Sequence, residues 1–167
     1  MNALDKSNLA AICTRPGSHL DLVVQAMPAP KPPGPGEIQV ALTASGLNFS
    51  DLVKFQGRYQ VQTELPFIVG GEASGRVLAI GPSVEDLLIG DAVLVPTGCV
   101  RFQTILASQA TKVPDGVDLR VAASFRQNYQ AAIDGLQRAQ LRPGETLLVQ
   151  GAAGGVGLAA VDLGLQM

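Results

Sequence analysis

The sequence predicts a protein of mixed α and β structure, with a strand-rich part that ends near residue 117 and a shorter helical part after it. In the first part, short apolar stretches separated by glycine and proline turns predict a small β barrel or sandwich. In the second part, apolar residues at helical spacing predict a helix. A short apolar run and a glycine-rich segment then predict a buried parallel strand and the start of another helix.

The strand-rich part contains several apolar segments bounded by turn signals. Ile38, Val40 and Leu42 alternate with other residues, which is the period of a half-buried strand. Pro28–Pro35 holds five prolines in eight residues and favours an extended connector. The predicted strands are Ala10–Thr14, Leu20–Ala26, Glu37–Thr43, Ala73–Ile80 and Ala92–Val95.

The helical part begins after the turn Pro114-Asp115-Gly116. A stripe of apolar residues predicts one helix over residues 118–140, with Asp118 as its N-terminal cap. Thr146–Val149 is the predicted strand, and Leu158–Leu165 is the predicted start of the next helix.

Composition limits the class of protein. The length of 167 residues allows one ordinary domain, or one domain and part of another. The net charge of −2 and the lack of a basic stripe argue against nucleic acid as a partner. No apolar run approaches the ~18 residues of a membrane span, and the first twenty residues lack a secretory signal pattern. Cys13 and Cys99 are too few for a disulfide framework, so we expect a cytoplasmic protein with no membrane partner.

The strongest chemical signal is the glycine-rich segment between the predicted strand and the last predicted helix. It matches Ala152-x-Gly154-x-x-Gly157, a variant of the dinucleotide-binding fingerprint in which alanine replaces the first glycine. Glycines let backbone N–H groups approach a pyrophosphate at the positive end of a helix. The alternative is a structural glycine turn. The residue that selects NAD or NADP is expected ~20 residues further on, beyond Met167, so that choice stays open.

Further motifs extend this signal along the chain. They are Gly46–Asp51, Gly57–Tyr59, Leu65–Gly75 and Gly90–Val93. With these motifs in this order, the chain resembles the medium-chain dehydrogenase/reductase superfamily, in its zinc-independent quinone oxidoreductase-like branch. The resemblance implies a GroES-like β barrel domain at residues 1–117, followed by the truncated start of a Rossmann (doubly wound α/β) domain at residues 118–167. It also implies that the chain is the N-terminal half of a longer family chain and that, as a monomer, it binds cofactor weakly or not at all.

The resemblance implies that no zinc is bound. Zinc-using members have cysteine at the position of Asn48 and histidine at the position of Gly71, and of that group only Glu72 remains. A catalytic zinc needs about three protein ligands with nitrogen, sulfur or carboxylate donors. We therefore expect no metal site.

The implied reaction is hydride transfer from NADPH, with NADH not excluded, to a quinone or to an activated alkene or carbonyl. Asn48 is expected beside the nicotinamide and Tyr59 in the substrate cleft, as a proton relay or an orienting hydroxyl. Structural alternatives stay open for these and nearby residues. Asn48 could cap a helix, Tyr59 could be a packing residue, Asp51 could be a first-turn carboxylate, and Glu72 could hold a loop.

The resemblance also implies a set of cofactor contacts. The expected residues are Asn48, Asn128, Ala152, Ala153, Gly154, Gly155, Val156 and Gly157. Two positions depart from the family pattern, because Val53 and Ala131 stand where a tyrosine and a threonine are common. Both changes remove a hydroxyl, so we expect a more apolar acceptor site or a lower activity.

Two other functions remain open from the sequence. One is a non-catalytic, truncated remnant whose β domain serves as a binding or interaction module. The other is an enoyl-reductase module of a larger synthase. A homodimer is compatible with each of these interpretations.

Overall fold

The computed structural model describes residues 7–167, except for the side chain of Leu20. The chain forms two compact units, the first ending at Ser124 and the second spanning Phe125–Met167. This division describes packing, and the domain bounds of 1–117 and 118–167 stay a prediction.

The first unit contains two antiparallel sheets. The strands of this unit are β1 Asn8–Cys13, β2 Val23–Met27, β3 Glu37–Gly46, β4 Phe67–Ile68, β5 Glu72–Ile80, β6 Ala92–Val95, β7 Phe102–Leu106 and β8 Thr111–Lys112. The smaller sheet has the strand order β2-β1-β4 and the larger the order β7-β3-β5-β6-β8. The helices of this unit are α1 Phe49–Phe55 and α2 Leu119–Ala122, with 3-10 turns at His19–Asp21 and Ala107–Gln109.

The core of this unit follows from the alternation in β3. Ile38 and Val40 are fully buried and pack with Val77, Val93 and neighbouring apolar residues of β5 and β6. Gln39 departs from the expected pattern, because it is buried as well. Its Nε2 donates a hydrogen bond to the carbonyl of Lys31 at 3.5 Å, so the proline-rich connector covers the second face of β3.

All five predicted strands are present, four of them with shifted ends. The 3-10 turn delays the start of β2 to Val23, whereas β6 has the bounds that the sequence predicts. Helix α1 and the strands β4, β7 and β8 were not predicted as separate elements.

The prediction of one helix over residues 118–140 is wrong. Asp118 does cap a helix, since its side chain accepts a hydrogen bond from the N–H of Arg120. That helix, α2, ends at Ala122, and helix α3 begins at Arg126. Helix α2 is held in the first unit by the Ser74 hydroxyl, which donates to the carbonyl of Leu119 at 2.5 Å. The helix breaks where the chain leaves one compact unit for the other.

The second unit consists of α3 Arg126–Arg138, α4 Gly155–Gln166 and the segment between them. The Tyr129 hydroxyl on α3 donates to Asp162 of α4 at 2.8 Å. The predicted helix at Leu158–Leu165 is confirmed, and it begins earlier, at Gly155. No helix in the described residues is long and apolar enough to span a bilayer.

The predicted strand Thr146–Val149 is not a strand in this structure. Its exposure alternates as a strand's would, because Leu147 and Val149 are half-buried and Leu148 is 83% exposed. A strand is defined by hydrogen bonds to a neighbour, and no described strand pairs with this segment. The apolar run therefore packs only through one face, where Leu147 lies close to Gly164 of α4.

Candidate functional site

The residue Asn48 and the carboxylate of Glu72 are joined by a hydrogen bond. Strands β3 and β5 pair so that Gly46 lies directly opposite Glu72. Asn48 follows two residues later, and its Nδ2 donates to Oε1 of Glu72 at 2.8 Å. Glu72 is 1% exposed, so the amide stabilises a carboxylate that has lost its contact with water.

Gly46 makes this arrangement sterically possible. A Cβ on Gly46 would lie 2.5 Å from the carbonyl oxygen of Ala123 and 2.7 Å from Oε1 of Glu72. Real Cβ atoms do not approach other heavy atoms so closely. The glycine is thus required by the close approach of three chain segments around the buried carboxylate.

Asn48 is also the N-terminal cap of α1. Its backbone N–H donates to Oδ2 of Asp51 at 2.8 Å, and the carboxylate of Asp51 lies in the first turn of that helix. The cap interpretation of Asn48 and the first-turn interpretation of Asp51 are therefore confirmed. They do not replace the contact of Asn48 with Glu72, because the side-chain amide makes that contact.

Lys54 connects this cluster to Tyr59. The Lys54 ammonium lies 3.8 Å from Oδ1 of Asp51 and 5.2 Å from the centre of the Tyr59 ring. Tyr59 is half-buried and, together with Lys54, Leu65 and Phe67, lines a cavity of about 60 Å³. The two predicted catalytic residues, Asn48 and Tyr59, are therefore linked through Asp51 and Lys54 of α1. That these two charged residues act as a pair was not predicted from the sequence.

Another cavity of the first unit has a volume of about 560 Å³ and is lined by Ser83–Leu87, Leu106 and Ala110, none of which is a predicted site residue. The two cysteines are free thiols. Burial raises the pKa of the Cys99 thiol, and Cys13 is buried, with its Sγ 3.2 Å from the carbonyl of Arg15.

The glycine-rich segment leads into α4, and its last residues, Gly155–Gly157, already belong to the first turn of that helix. Gly154 is the N-terminal cap of that helix. Gly151 has a φ of +69°, a conformation that favours glycine, and its carbonyl accepts a hydrogen bond from the N–H of Gly154 at 3.0 Å. A Cβ on Gly157 would collide with the carbonyl of Gly151, so the helix packs tightly on the turn that precedes it.

Asn128 is placed beside this segment by the packing of α3 on α4. A Cβ on Gly155 would lie 2.5 Å from Oδ1 of Asn128, so the absence of a side chain at Gly155 allows this approach. The predicted cofactor contacts Asn128 and Ala152–Gly157 thus lie in one neighbourhood of the second unit. Asn48 and Tyr59 belong to the first unit.

The helix side of this geometry fits a pyrophosphate, whereas the strand that was expected before the glycine-rich segment is not formed. The first N–H groups of an α-helix have no partner within the helix, and the helix dipole makes that end positive. Helix α4 has 12 residues, and four positions around its start, Gly151, Gly154, Gly155 and Gly157, have no side chain. Residues 152–157 would hold the pyrophosphate, and the predicted cofactor contacts stay a prediction.

The donor set around Glu72 does not fit a catalytic zinc. The Asn48 amide directs its NH₂ group at the carboxylate, and the NH₂ group of an amide is a hydrogen-bond donor and not a metal ligand. Within residues 7–167, no group of three or more histidine, cysteine, aspartate or glutamate side chains converges as a metal site would require.

Residues 34–127 match the family model of the alcohol dehydrogenase GroES-like domain. The chain therefore belongs to this family, and its resemblance to the medium-chain dehydrogenase/reductase superfamily is confirmed. The fold is accordingly a GroES-like domain followed by the start of a Rossmann-like domain.

Three comparisons relate the chain to particular proteins. It is 39% identical to the quinone oxidoreductase-like protein 2 homolog of Nematostella vectensis, over 95% of this chain and 44% of that protein. It is 42% identical to a mycocerosic acid synthase-like polyketide synthase of Mycobacterium tuberculosis, over 79% of this chain and 6% of that protein. The structure of a quinone oxidoreductase from Thermus thermophilus, also solved in complex with NADPH, superposes with a TM-score of 0.82 at 30% identity and covers 95% of this chain and 50% of that one.

These relatives define an oxidoreductase lineage. The chain spans about half the length of the Nematostella and Thermus proteins that it matches.

Proposed function

We propose that the protein is a cytoplasmic oxidoreductase that uses NADPH to reduce a quinone or a carbonyl-conjugated alkene without zinc. The observation that carries this proposal is the hydrogen bond from Asn48 to Glu72. It joins two positions that hold metal ligands in zinc-using relatives, and Asn48 offers neither the thiolate nor the imidazole that a zinc site uses. Similarity to a quinone oxidoreductase solved with NADPH supports the choice of acceptor and cofactor.

The choice of acceptor follows from the chemistry of a site without a Lewis acid. Quinones and conjugated enones spread negative charge over their own π systems, so their reduction needs orientation and electrostatics more than a metal. Bound NADPH would supply a hydride, which is the chemistry of the cofactor itself. Tyr59 lines the cavity beside Lys54, where its hydroxyl can orient the acceptor oxygen or pass a proton to it.

The first experiment measures NADPH binding by fluorescence titration of the chain and, where the gene encodes a longer polypeptide, of that polypeptide, and it uses Gly157→Ala as the test variant. We expect the substitution to weaken binding because its Cβ would collide with Gly151 and displace the turn. Gly135→Ala is the matched control, since a Cβ there meets nothing within 4 Å. Equal binding by wild type, Gly157→Ala and Gly135→Ala would contradict a cofactor role for this segment.

The second experiment measures NADPH oxidation with a panel of quinones and enones. It uses the chain of 167 residues and, where the gene encodes a longer polypeptide, that polypeptide as well. We expect Tyr59→Phe to lower kcat by roughly 10²-fold, the lower end of the usual general acid contribution. Full activity in Tyr59→Phe would contradict the proton-relay role, and no turnover with any acceptor would favour a non-catalytic module.

A second candidate function is enoyl reduction within a larger synthase. It is favoured by the similarity to a polyketide synthase, of which the matched region is a small part. The discriminating substrates are α,β-unsaturated acyl thioesters. Faster NADPH oxidation with these thioesters than with quinones would favour this candidate, and the reverse order would favour the first.

A further inference from the structure

Lys54 has an unusual position for a charged residue at the end of a short helix. Its side chain is only 23% exposed, and its ammonium lies between the Asp51 carboxylate and the face of the Tyr59 ring. Both neighbours attract the ammonium, Asp51 as an anion and Tyr59 through the negative face of its aromatic ring. The ammonium is therefore held near the cavity instead of extending into water.

Asp51 explains why the ammonium stays there. Its carboxylate is 2% exposed, and Oδ2 accepts a hydrogen bond from the N–H of Asn48. Oδ1 is buried without a hydrogen-bond partner among the described residues. A buried carboxylate oxygen in this state is costly unless a cation lies close by, and Lys54 at 3.8 Å is that cation.

The ion pair between Lys54 and Asp51 does not include a hydrogen bond. A separation of 3.8 Å is an ion pair but is too long for a hydrogen bond. Within residues 7–167, the three N–H groups of this ammonium have no acceptor at hydrogen-bond distance. Lys54 is also the only cationic side chain among the described residues that line the cavity.

We infer that the Lys54 ammonium binds the acceptor oxygen on which negative charge develops during reduction. This inference rests on the proposed function, whose catalytic residues were Asn48 and Tyr59. The acceptor carbon would gain a hydride with its electron pair from bound NADPH, which would be oxidised to NADP⁺. The conjugated carbonyl oxygen would then carry the negative charge as an enolate or hydroquinone anion, and a proton passed by the Tyr59 hydroxyl or taken directly from water would neutralise it.

A preorganised cation at this oxygen stabilises the charged state more than the neutral acceptor, which is the condition for catalysis. The cavity also restricts the acceptor. Its volume of about 60 Å³ is far below the ~300–1,000 Å³ of typical ligand pockets, so only the end of the acceptor that carries the oxygen would enter it, between walls that include Leu65 and Phe67. Acceptors with a bulky group beside the reacting carbonyl should therefore be poor substrates.

The test uses 4-nitrophenol, which resembles the anionic product and absorbs visible light only as the phenolate. The full chain of 167 residues is titrated with the probe in the absence of any cofactor. We expect the wild-type protein to bind the phenolate in preference to the neutral phenol, so that the bound probe ionises at a lower pH than the free probe. Binding of the neutral phenol alone would overturn the inference without any variant.

Two variants of Lys54 separate charge from packing. Lys54→Met should weaken phenolate binding by about 10-fold to 100-fold, the factor for loss of one hydrogen bond to a charged group. Lys54→Arg keeps the charge and should retain most of the binding. Lys31→Met is the matched control, because it makes the same substitution at an exposed lysine that does not line the cavity. Circular dichroism and thermal unfolding establish that each variant is folded.

The outcomes distinguish this inference from the proposed function. Equal phenolate binding by wild type and folded Lys54→Met overturns the inference. Binding that depends on Lys54 supports it, because the probe requires no cofactor. If that dependence is present but no acceptor is reduced in the NADPH assay, the proposed function fails while the anion-binding role of Lys54 stands.

Discussion

The two compact units differ in how they cover their apolar residues. In the first unit, Ile38, Val40 and Val93 are completely buried between paired strands. In the second unit, the buried apolar residues among those described are Ala132, Leu136 and Ala159. Leu148 and Leu165 of that unit are each 83% exposed. Antiparallel strands close a core through partners within the same unit, whereas two helices and an unpaired segment cover only one face of each other.

The largest expected effect comes from the core of the first unit. Ile38→Ala should lower the free energy of unfolding by about 2–5 kcal/mol, because it removes buried methyl groups and leaves a cavity. Leu148→Ala should change it by no more than about 0.5 kcal/mol, because that side chain is already exposed. Denaturant unfolding of both variants measures the difference. A similar loss in the two proteins would show that the apolar surface of the second unit is covered in solution.

The next prediction compares the change in stability caused by replacing one glycine in each unit with alanine. Gly46→Ala should destabilise the first unit by about 1–3 kcal/mol, since its Cβ would press on Glu72 and Ala123. Gly135→Ala should stabilise α3 by about 0.5–1 kcal/mol, because alanine is the better helix former and the Cβ meets open space. Thermal unfolding of the two variants shows whether each substitution raises or lowers the stability of the protein. A neutral Gly46→Ala would mean that the β3–β5 pairing relaxes easily around Glu72.

The smallest expected effect is a dependence of folding stability on pH, which arises from Asp118 at the start of α2. The N–H and guanidinium of Arg120 lower the pKa of Asp118 from 3.8 to about 2, with the guanidinium contact contributing more. A carboxylate whose pKa is lower in the folded than in the unfolded protein stabilises the folded state at pH values above the unfolded pKa. This stabilisation is lost as the pH falls through the folded pKa. The contribution of Asp118 should therefore be complete above pH 3.8 and disappear as the pH falls through about 2.

The measurement is an NMR titration of the Asp118 carboxyl group, together with unfolding experiments over the same pH range. Asp118→Asn should remove this part of the pH dependence, whereas Asp115→Asn, at an exposed aspartate of the preceding turn, should keep it. A normal titration of Asp118 would show that the ion pair with Arg120 does not persist in water.

Part of the candidate site could be predicted from sequence because its signals are local. The glycine spacing predicted a helix after the segment, which begins three residues earlier than Leu158, and the motif around Asn48 predicted its role near a helix start. The break after Ala122 was missed, since the helical stripe continues through residues that belong to two different units. The strand at 146–149 was wrongly predicted because strand formation depends on a neighbour as well as on the apolar run.

Neighbouring residues along the chain were enough to specify five strands of the first unit, the cap residues Asn48 and Asp118 and the family to which the chain belongs, because each depends on residues close together in sequence. The folded chain was needed to show that Asn48 donates to Glu72 and that Lys54 lies between Asp51 and Tyr59. The first contact spans 24 residues and depends on the register of β3 and β5. The contact of Lys54 with Tyr59 depends on the path of the loop after α1, which brings Tyr59 back to Lys54. No local pattern of side chains specifies that path.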